Sequence, residues 1–246
     1  MTSENARSWD LLSSWYQANA GIPTESATYG AEIPDEDELR LCGDVSGKRV
    51  VDLGCGGAQS AIAFARHGAK VIGIDHSAEQ LSYARRLAEG EEVKLELRQA
   101  DLADLAFLPP GSVDLAFSAW ALNYVSDVSR VFRQVHRVLK TGAPFVFSLP
   151  HPAIRLIARS SEEPLLVRRS YWDRQPITWT WHDGVPLTEY QHTIADLYGG
   201  LQRANFAVDT ILEPEPTPTG PRSMHWHEAN QLVPVTLVMR ARKVGL

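Results

Sequence analysis

The chain has 246 residues, 44% of them apolar, and carries a net charge of −6 at pH 7, which allows one large α/β domain with a buried core and a modest insertion. No run reaches the roughly 18 apolar residues of a membrane-spanning helix, and no basic segment followed by an apolar one opens the chain. The acidic balance argues against a nucleic-acid partner, since phosphate recognition demands a basic face. The expectation is a soluble, cytoplasmic protein that acts on a small molecule and uses neither membrane nor nucleic acid. One local exception, Arg155, Arg159, Arg168, Arg169 and Arg174, reads as the solvated surface of an insertion. The two cysteines, Cys42 and Cys55, give neither a structural disulfide nor a metal-ligand spacing.

In chain order, residues 1–46 read as a helical cap, with Trp9, Leu12 and Trp15/Tyr16 spaced for one helix face. From 47 to 150 short β-branched runs alternate with helical patterns: strand 48–53, helix 58–67, strand 70–75, helix 78–89, strand 93–99, strand 112–117, helix 128–140, strand 143–149. Such βα alternation implies a parallel sheet covered on both faces. Ser77 with Gln80 predicts a capping box, and Gly90 a helix stop. Val128, Val131, Phe132, Val135, Val138 and Leu139 form one apolar stripe. Residues 150–192 break the pattern. Ile177–Trp181 alternates strictly, and Asp183-Gly184 predicts a two-residue hairpin turn. A helix over 194–205, capped by Thr193 and Asp196, precedes strands 206–212 and 232–242 that flank a Pro-rich loop over 213–221. The two closing strands have no helix between them, so they read as an antiparallel pair.

The chemistry-bearing segment is Val50-Val-Asp-Leu-Gly-Cys-Gly-Gly-Ala58. A glycine-rich turn between strand and helix lets backbone approach a ligand and offers it free N–H groups. By itself that turn suits any dinucleotide-type fold, including a nicotinamide-dependent oxidoreductase. Asp52, two residues before Gly54, separates the readings: a carboxylate there repels a pyrophosphate but suits an α-ammonium and a sulfonium. Asp75 ends the next strand 19 residues after Gly56, where an acid accepts both hydroxyls of a ribose. The structural alternatives are that Asp52 caps a turn and Asp75 caps the helix at Ser77.

With these residues the chain resembles the class I S-adenosylmethionine-dependent methyltransferases, and within them the ubiquinone/menaquinone-biosynthesis-like small-molecule group. The likeness is strong over 47–150 and fair over 193–243. It implies an α/β, Rossmann-like seven-stranded sheet of order 3-2-1-4-5-7-6 with strand 7 antiparallel, an N-terminal cap (1–46), a methyltransferase domain (47–246) and, within it, a substrate-side hairpin lid (150–192). It implies S-adenosylmethionine as cofactor and S-adenosylhomocysteine as product. Gly54, Cys55 and Gly56 should line the methionine moiety, Asp52 its amino group, Asp75 the ribose and His76 the adenine. Asp101 and Leu102 should meet the adenine edge, and the Ser118 carbonyl the ammonium. The chain departs from the family in having Ala58 where a third glycine is common. Strand 4 ends in Ser-Ala-Trp-Ala rather than Asn-Pro-Pro-Tyr/Phe, which weighs against methylation of bases or glutamine. The implied activity is methyl transfer to an oxygen, nitrogen or carbon of a small aromatic metabolite. A non-catalytic cofactor-binding protein is the alternative within the family.

Methyl transfer from a sulfonium needs alignment first, worth about 7–11 kcal/mol, and a general base only where the acceptor must lose a proton. His151 follows strand 5 at the ligand-binding edge. A two-residue turn sets Trp181 opposite Pro186 and Trp179 opposite Thr188, so Trp179, Trp181, Tyr190 and His192 share one hairpin face. His192, His151 and Tyr190 are thus the catalytic candidates, with Trp120, Trp179 and Trp181 the substrate-facing aromatics. Trp172 reads as packing the insertion, His67 as a helix-end residue, His182 as a solvated turn residue, and His225-Trp226-His227 as a surface loop with no metal.

Overall fold

The structure is a computed structural model that describes residues 3–157, 166–217 and 222–245. The helical cap begins with α1 (Ser3–Asn19) and the short α2 (Glu36–Leu39). The alternating core follows as β1 (Arg49–Leu53), α3 (Gln59–Arg66), β2 (Lys70–Asp75), α4 (Ala78–Gly90), β3 (Glu96–Gln99), β4 (Leu115–Ala119), α5 (Val128–Val138) and β5 (Pro144–Pro150). A separate hairpin of β6 (Ile177–Thr180) and β7 (Pro186–Glu189) precedes α6 (Ile194–Arg203), β8 (Phe206–Leu212) and β9 (Thr236–Lys243).

The main sheet has the order β3-β2-β1-β4-β5-β9-β8. β9 runs antiparallel to both β5 and β8, and the other pairings are parallel. This is the expected seven-stranded arrangement with the inserted hairpin counted separately. One face buries α5 and α6 through Val131, Phe132, Val135, Leu197 and Leu201 against Phe145 and Phe147. The other buries α3 and α4 through Ala61, Phe64, Leu81 and Ala84 against Val50 and Phe117. The whole predicted stripe of α5 is buried. Thr193 and Asp196 form the predicted capping box on α6.

Three local expectations change. The Ser77 Oγ accepts the Gln80 N–H at 3.1 Å, but the Gln80 side chain does not return to its own cap. It accepts from Gln17 Nε2 at 2.7 Å instead. Gly90 lies inside α4, and the left-handed residue beyond is Glu92 (φ 56°). The hairpin turn holds three residues rather than two, with Asp183 at φ 54° and Gly184 at φ 72°. The His182 ring stacks on Trp15 at 4.4 Å, which draws it out of the ladder and into the turn. Trp179 therefore opposes Leu187, and Thr178 opposes Thr188.

A one-residue slip reverses face parity. Trp179 and Trp181 stay with Val185 and Leu187 against Trp9, Leu12 and Tyr124. Tyr190 and His192 leave that face. Trp172 packs no core either: it is 79% exposed. Among the arginines of the expected basic patch, Arg155 pairs with Glu189, Arg169 with Asp173 and Arg174 with Asp196. Arg159 lies outside the described residues, as does the part of the Pro-rich loop over 218–221.

α1 is docked by side-chain hydrogen bonds along its length. The Asn5 amide donates to the Thr188 carbonyl at 2.8 Å and accepts the Thr188 N–H at 3.0 Å. The Asp10 carboxylate accepts from Ser77 Oγ at 2.6 Å and from the Glu79 N–H at 3.1 Å, at the positive end of α4. Gln17 donates to Gln80 and accepts from Gln59 Nε2 at 2.6 Å. Gln17→Ala leaves two buried amides short of a partner, at a cost of about 1–3 kcal/mol. We expect amide exchange over α1 to quicken by roughly tenfold to a hundredfold while the sheet core is unchanged. Unaltered exchange over α1 would show that the aromatic contacts alone hold it.

Candidate active site

The carboxyl ends of β1, β2 and β4 meet at one cleft. Its lining includes Asp52, Gly54, Cys55, Gly56, Asp75 and His76 from the first two strands and the turns after them, and Trp120 from beyond β4. The turn after β1 is folded back by two N–H groups, Gly54 and Cys55, that both donate to the Ile74 carbonyl, at 2.7 and 3.0 Å. Gly54 has φ 75°, and a Cβ there would lie 2.2 Å from the Ala121 Cβ. Only glycine fits. Ala58, in the place of a third glycine, adopts φ 66° with its methyl fully buried. The departure is accommodated by left-handed backbone rather than by a wider turn.

Asp75 caps the helix at Ser77, the structural role that its position allowed. Its Oδ2 accepts the Gly56 N–H at 2.9 Å, and its Oδ1 accepts the Ser77 N–H at 2.9 Å and lies 3.2 Å from His76 Nδ1. A carboxylate has about four acceptor sites, so the helix-cap and turn contacts leave lone pairs for a ligand's hydroxyls. Asp52 is 2% exposed. Burial, and then the nearby Asp75 charge, push its carboxyl up to about 7. His76 Nε2 is buried with no hydrogen-bond partner among the described residues. This donor and acceptor set fits S-adenosylmethionine: a buried carboxyl with no cation beside it among the described residues, a second acid with spare lone pairs, and a turn open to close approach.

Other expected site residues stand elsewhere. The Asp101 Oδ1 accepts the Ala103 N–H at 2.8 Å, and Leu102 is wholly buried in the core; neither lines the cleft. Ser118 is buried, with its Oγ donating to the Leu53 carbonyl at 2.8 Å, while its neighbours Phe117 and Ala119 form the wall. Trp179 and Trp181 form a second layer. Trp181 packs edge-on against Trp9 and Tyr16, at 6.2 and 5.7 Å, and those two rings line the cleft.

None of the three catalytic candidates reaches it. His192 Nε2 meets the Val125 carbonyl at 3.1 Å, and burial lowers its proton affinity. His151 Nδ1 accepts the Ala153 N–H at 3.0 Å and Nε2 lies 2.8 Å from Glu213. That pair of contacts fixes the ring, and burial, partly offset by Glu213, lowers its pKa. Tyr190 borders a small hollow with Glu189 and Arg155. Residues the sequence did not assign to the site also line the cleft: Thr28, Gln59, Gln80 and Tyr124. Gln59 directly follows the glycine-rich turn, the one local signal that would have found it.

A family model for the methyltransferase domain matches residues 51–147. A ubiquinone biosynthesis O-methyltransferase of Sodalis glossinidius is 34% identical over 173 residues, covering 67% of this chain and 69% of that protein. The chain belongs to the S-adenosylmethionine-dependent methyltransferases. The methyltransferase is also 36% identical over 107 residues to the protein of the same name from Acinetobacter baylyi, of which that match spans 45%. It superposes on the S-adenosylmethionine-dependent methyltransferase from Mesorhizobium loti with a TM-score of 0.69 and 33% identity, over 84% of this chain and 96% of that one. The oxidoreductase alternative is thereby closed, and S-adenosylmethionine is the methyl donor of this enzyme.

Gly54→Ala tests the tightness of the turn. Overpacking and left-handed strain together should cost about 2–4 kcal/mol and lower the thermal midpoint by roughly 5–15 °C. Adding Ala121→Gly should recover the overpacking part of that loss and leave the left-handed strain. A double variant no better than the single would place the strain elsewhere.

Proposed function

We propose that the methyltransferase holds S-adenosylmethionine in this cleft and methylates an oxygen of a small aromatic metabolite. Asp52 faces the α-ammonium, Asp75 the ribose hydroxyls and His76 the adenine. The observation that carries this is Asp52: a carboxyl buried beside a second acid, which gains most from a ligand that brings a positive charge. When bound, the cofactor supplies an electrophilic methyl on a sulfonium. What the chain contributes is alignment, exclusion of water and a place for the acceptor's proton.

The cover is α1 with the hairpin of β6 and β7, joined through Asn5 and Thr188 and through the Trp9–Trp181 contact. Trp9 and Tyr16 form its inner surface, beside Tyr124 from the turn after β4, and Trp179 and Trp181 brace it from behind. An oxygen acceptor is favoured by the names of the relatives from Sodalis and Acinetobacter, which are O-methyltransferases. A small molecule rather than a nucleic acid is favoured by the net charge of −6 and by the pairing of Arg155, Arg169 and Arg174 with carboxylates. No helix among the described residues is long and apolar enough to cross a membrane.

The sign of the pH dependence follows from Asp52. Its pKa in the folded, ligand-free protein is about 7, above the ordinary carboxylate value of 3.8. Below pH 7 the group is protonated, and binding an ammonium must expel that proton. Affinity for S-adenosylhomocysteine should therefore weaken about tenfold per pH unit below 7 and level off above it. Linkage runs the other way for the ligand-free fold, whose stability falls as pH rises from about 4 to 7. Asp52→Asn should bind S-adenosylhomocysteine roughly tenfold to a hundredfold less tightly at pH 8 and lose the slope. Calorimetric titrations of both proteins across pH 5.5–8.5 measure this. An unchanged slope in the variant would remove Asp52 from the ammonium site.

A further inference from the structure

The charge of the cleft is one-sided. Asp52 and Asp75 are its acids, 2% and 7% exposed, and among the described residues no lysine or arginine lines it. A third carboxylate stands just behind. Asp10 accepts from Ser77 Oγ at 2.6 Å, while Asp75 accepts the N–H of the same serine at 2.9 Å. The Cys55 thiol, also in the lining, senses the imbalance. Burial pushes its pKa up, the charges of Asp52 and Asp75 push it further, and no positive side chain opposes them. Among the described residues of the lining, only the imidazole of His76, 3.2 Å from Asp75, can turn positive, and imidazoles are ordinarily neutral by pH 8. The other polar groups of the lining are hydroxyls and amides, among them Thr28, Ser60, Gln59 and Gln80.

We propose that the cleft tells S-adenosylmethionine from S-adenosylhomocysteine by charge, with Asp52 and Asp75 as the discriminating residues, so that methyl transfer itself loosens the product. This rests on the reading of the cleft as the cofactor site. The two ligands share adenine, ribose, ammonium and carboxylate, so contacts to those parts cannot separate them. They differ at the sulfonium, which gives the methyl donor one positive charge more than the product. Within the cleft an ammonium offsets one acid. The ligand's own carboxylate finds hydroxyls and amides there, and no cation. The sulfonium is then the charge that balances the second acid, in surroundings where such attraction is stronger than in water. The rings of Trp9, Tyr16, Trp120 and Tyr124 in the lining act in the same direction, because a cation gains more over a ring face than a neutral thioether does. In the transfer, the acceptor atom bonds to the methyl carbon and the carbon–sulfur bond breaks with its electron pair left on sulfur. The positive charge is gone from that position, and two acids face one ammonium.

Calorimetric titration of the full chain at pH 8 tests this with three ligands. They are S-adenosylmethionine, S-adenosylhomocysteine and sinefungin, which carries an amine-bearing carbon in place of the sulfonium and so keeps the positive charge without a transferable methyl. The two cations should each bind more tightly than S-adenosylhomocysteine by about fivefold or more. Asp75 also holds the Gly56 and Ser77 N–H groups, so the variant that carries the test is Asp52→Asn. Loss of the ammonium contact weakens all three ligands alike, and the ratio of affinities isolates the charge at the sulfonium. That ratio should fall by roughly threefold or more in Asp52→Asn. Thr28→Lys adds a cation to the lining while keeping the backbone bond from the Thr28 N–H to Ser60 Oγ. It should lower the same ratio with Asp52 intact. S-adenosylhomocysteine binding as tightly as either cation, or an unaltered ratio in Asp52→Asn or in folded Thr28→Lys, would overturn the proposal. Failure of all three ligands to bind would instead strike the cofactor site on which it rests.

Discussion

The carboxylate of Asp75 ties together the parts of the molecule on which its chemistry depends. It accepts the Gly56 N–H from the turn after β1 and the Ser77 N–H that starts α4. Two crossovers of the sheet are thereby fixed to one strand end. Because the turn is pulled toward β2, Gly54 passes over Ala121 with no room for a side chain, and Asp52 is left buried within the field of a second acid. Desolvation and like charge both oppose ionisation there. A positive charge brought beside Asp52 would relieve both.

Over that floor the chain builds a cover from distant parts of the sequence. α1 touches α4 through Asp10, α3 and α4 through Gln17, and the hairpin through Asn5. These are polar bonds in buried and half-buried surroundings, each modest in net strength. The aromatic contacts of Trp9 with Tyr16, Tyr124 and Trp181 add the apolar half of the interface. A segment held by side-chain contacts of this kind can open locally without unfolding the sheet.

The insertion is organised by charge as well as by rings. Glu189 is 2% exposed at the end of β7 and pairs with Arg155 beyond β5. Burial raises the Glu189 pKa, and Arg155, with Trp179 and Tyr124 beside it, opposes that rise. Removing one member of such a pair strands the other in low dielectric, so it fixes where the hairpin sits on the sheet. Arg155 thereby becomes a structural element of the insertion.

Much of this enzyme was legible in its residues because the relevant signals are local. Hydrophobic period marked β1 to β5 and α3 to α6. The Asp52-x-Gly-x-Gly turn and Asp75 are set by strand and turn geometry within 30 residues, and so the cleft floor was found. The hairpin shows where locality ends: Asp183-Gly184 marks the turn, but the stacking of His182 on Trp15, far away in sequence, sets its length. That single residue reverses which side chains share a face and removes His192 and Tyr190 from it. His225 is the converse case. Its own segment reads as surface, and only the return of the chain between β8 and β9 carries it to Trp120 and Tyr16, from β4 and α1. Strand ends and glycine turns are properties of a few consecutive residues. The aromatic wall beside the cleft is a meeting of remote ones, decided by packing alone.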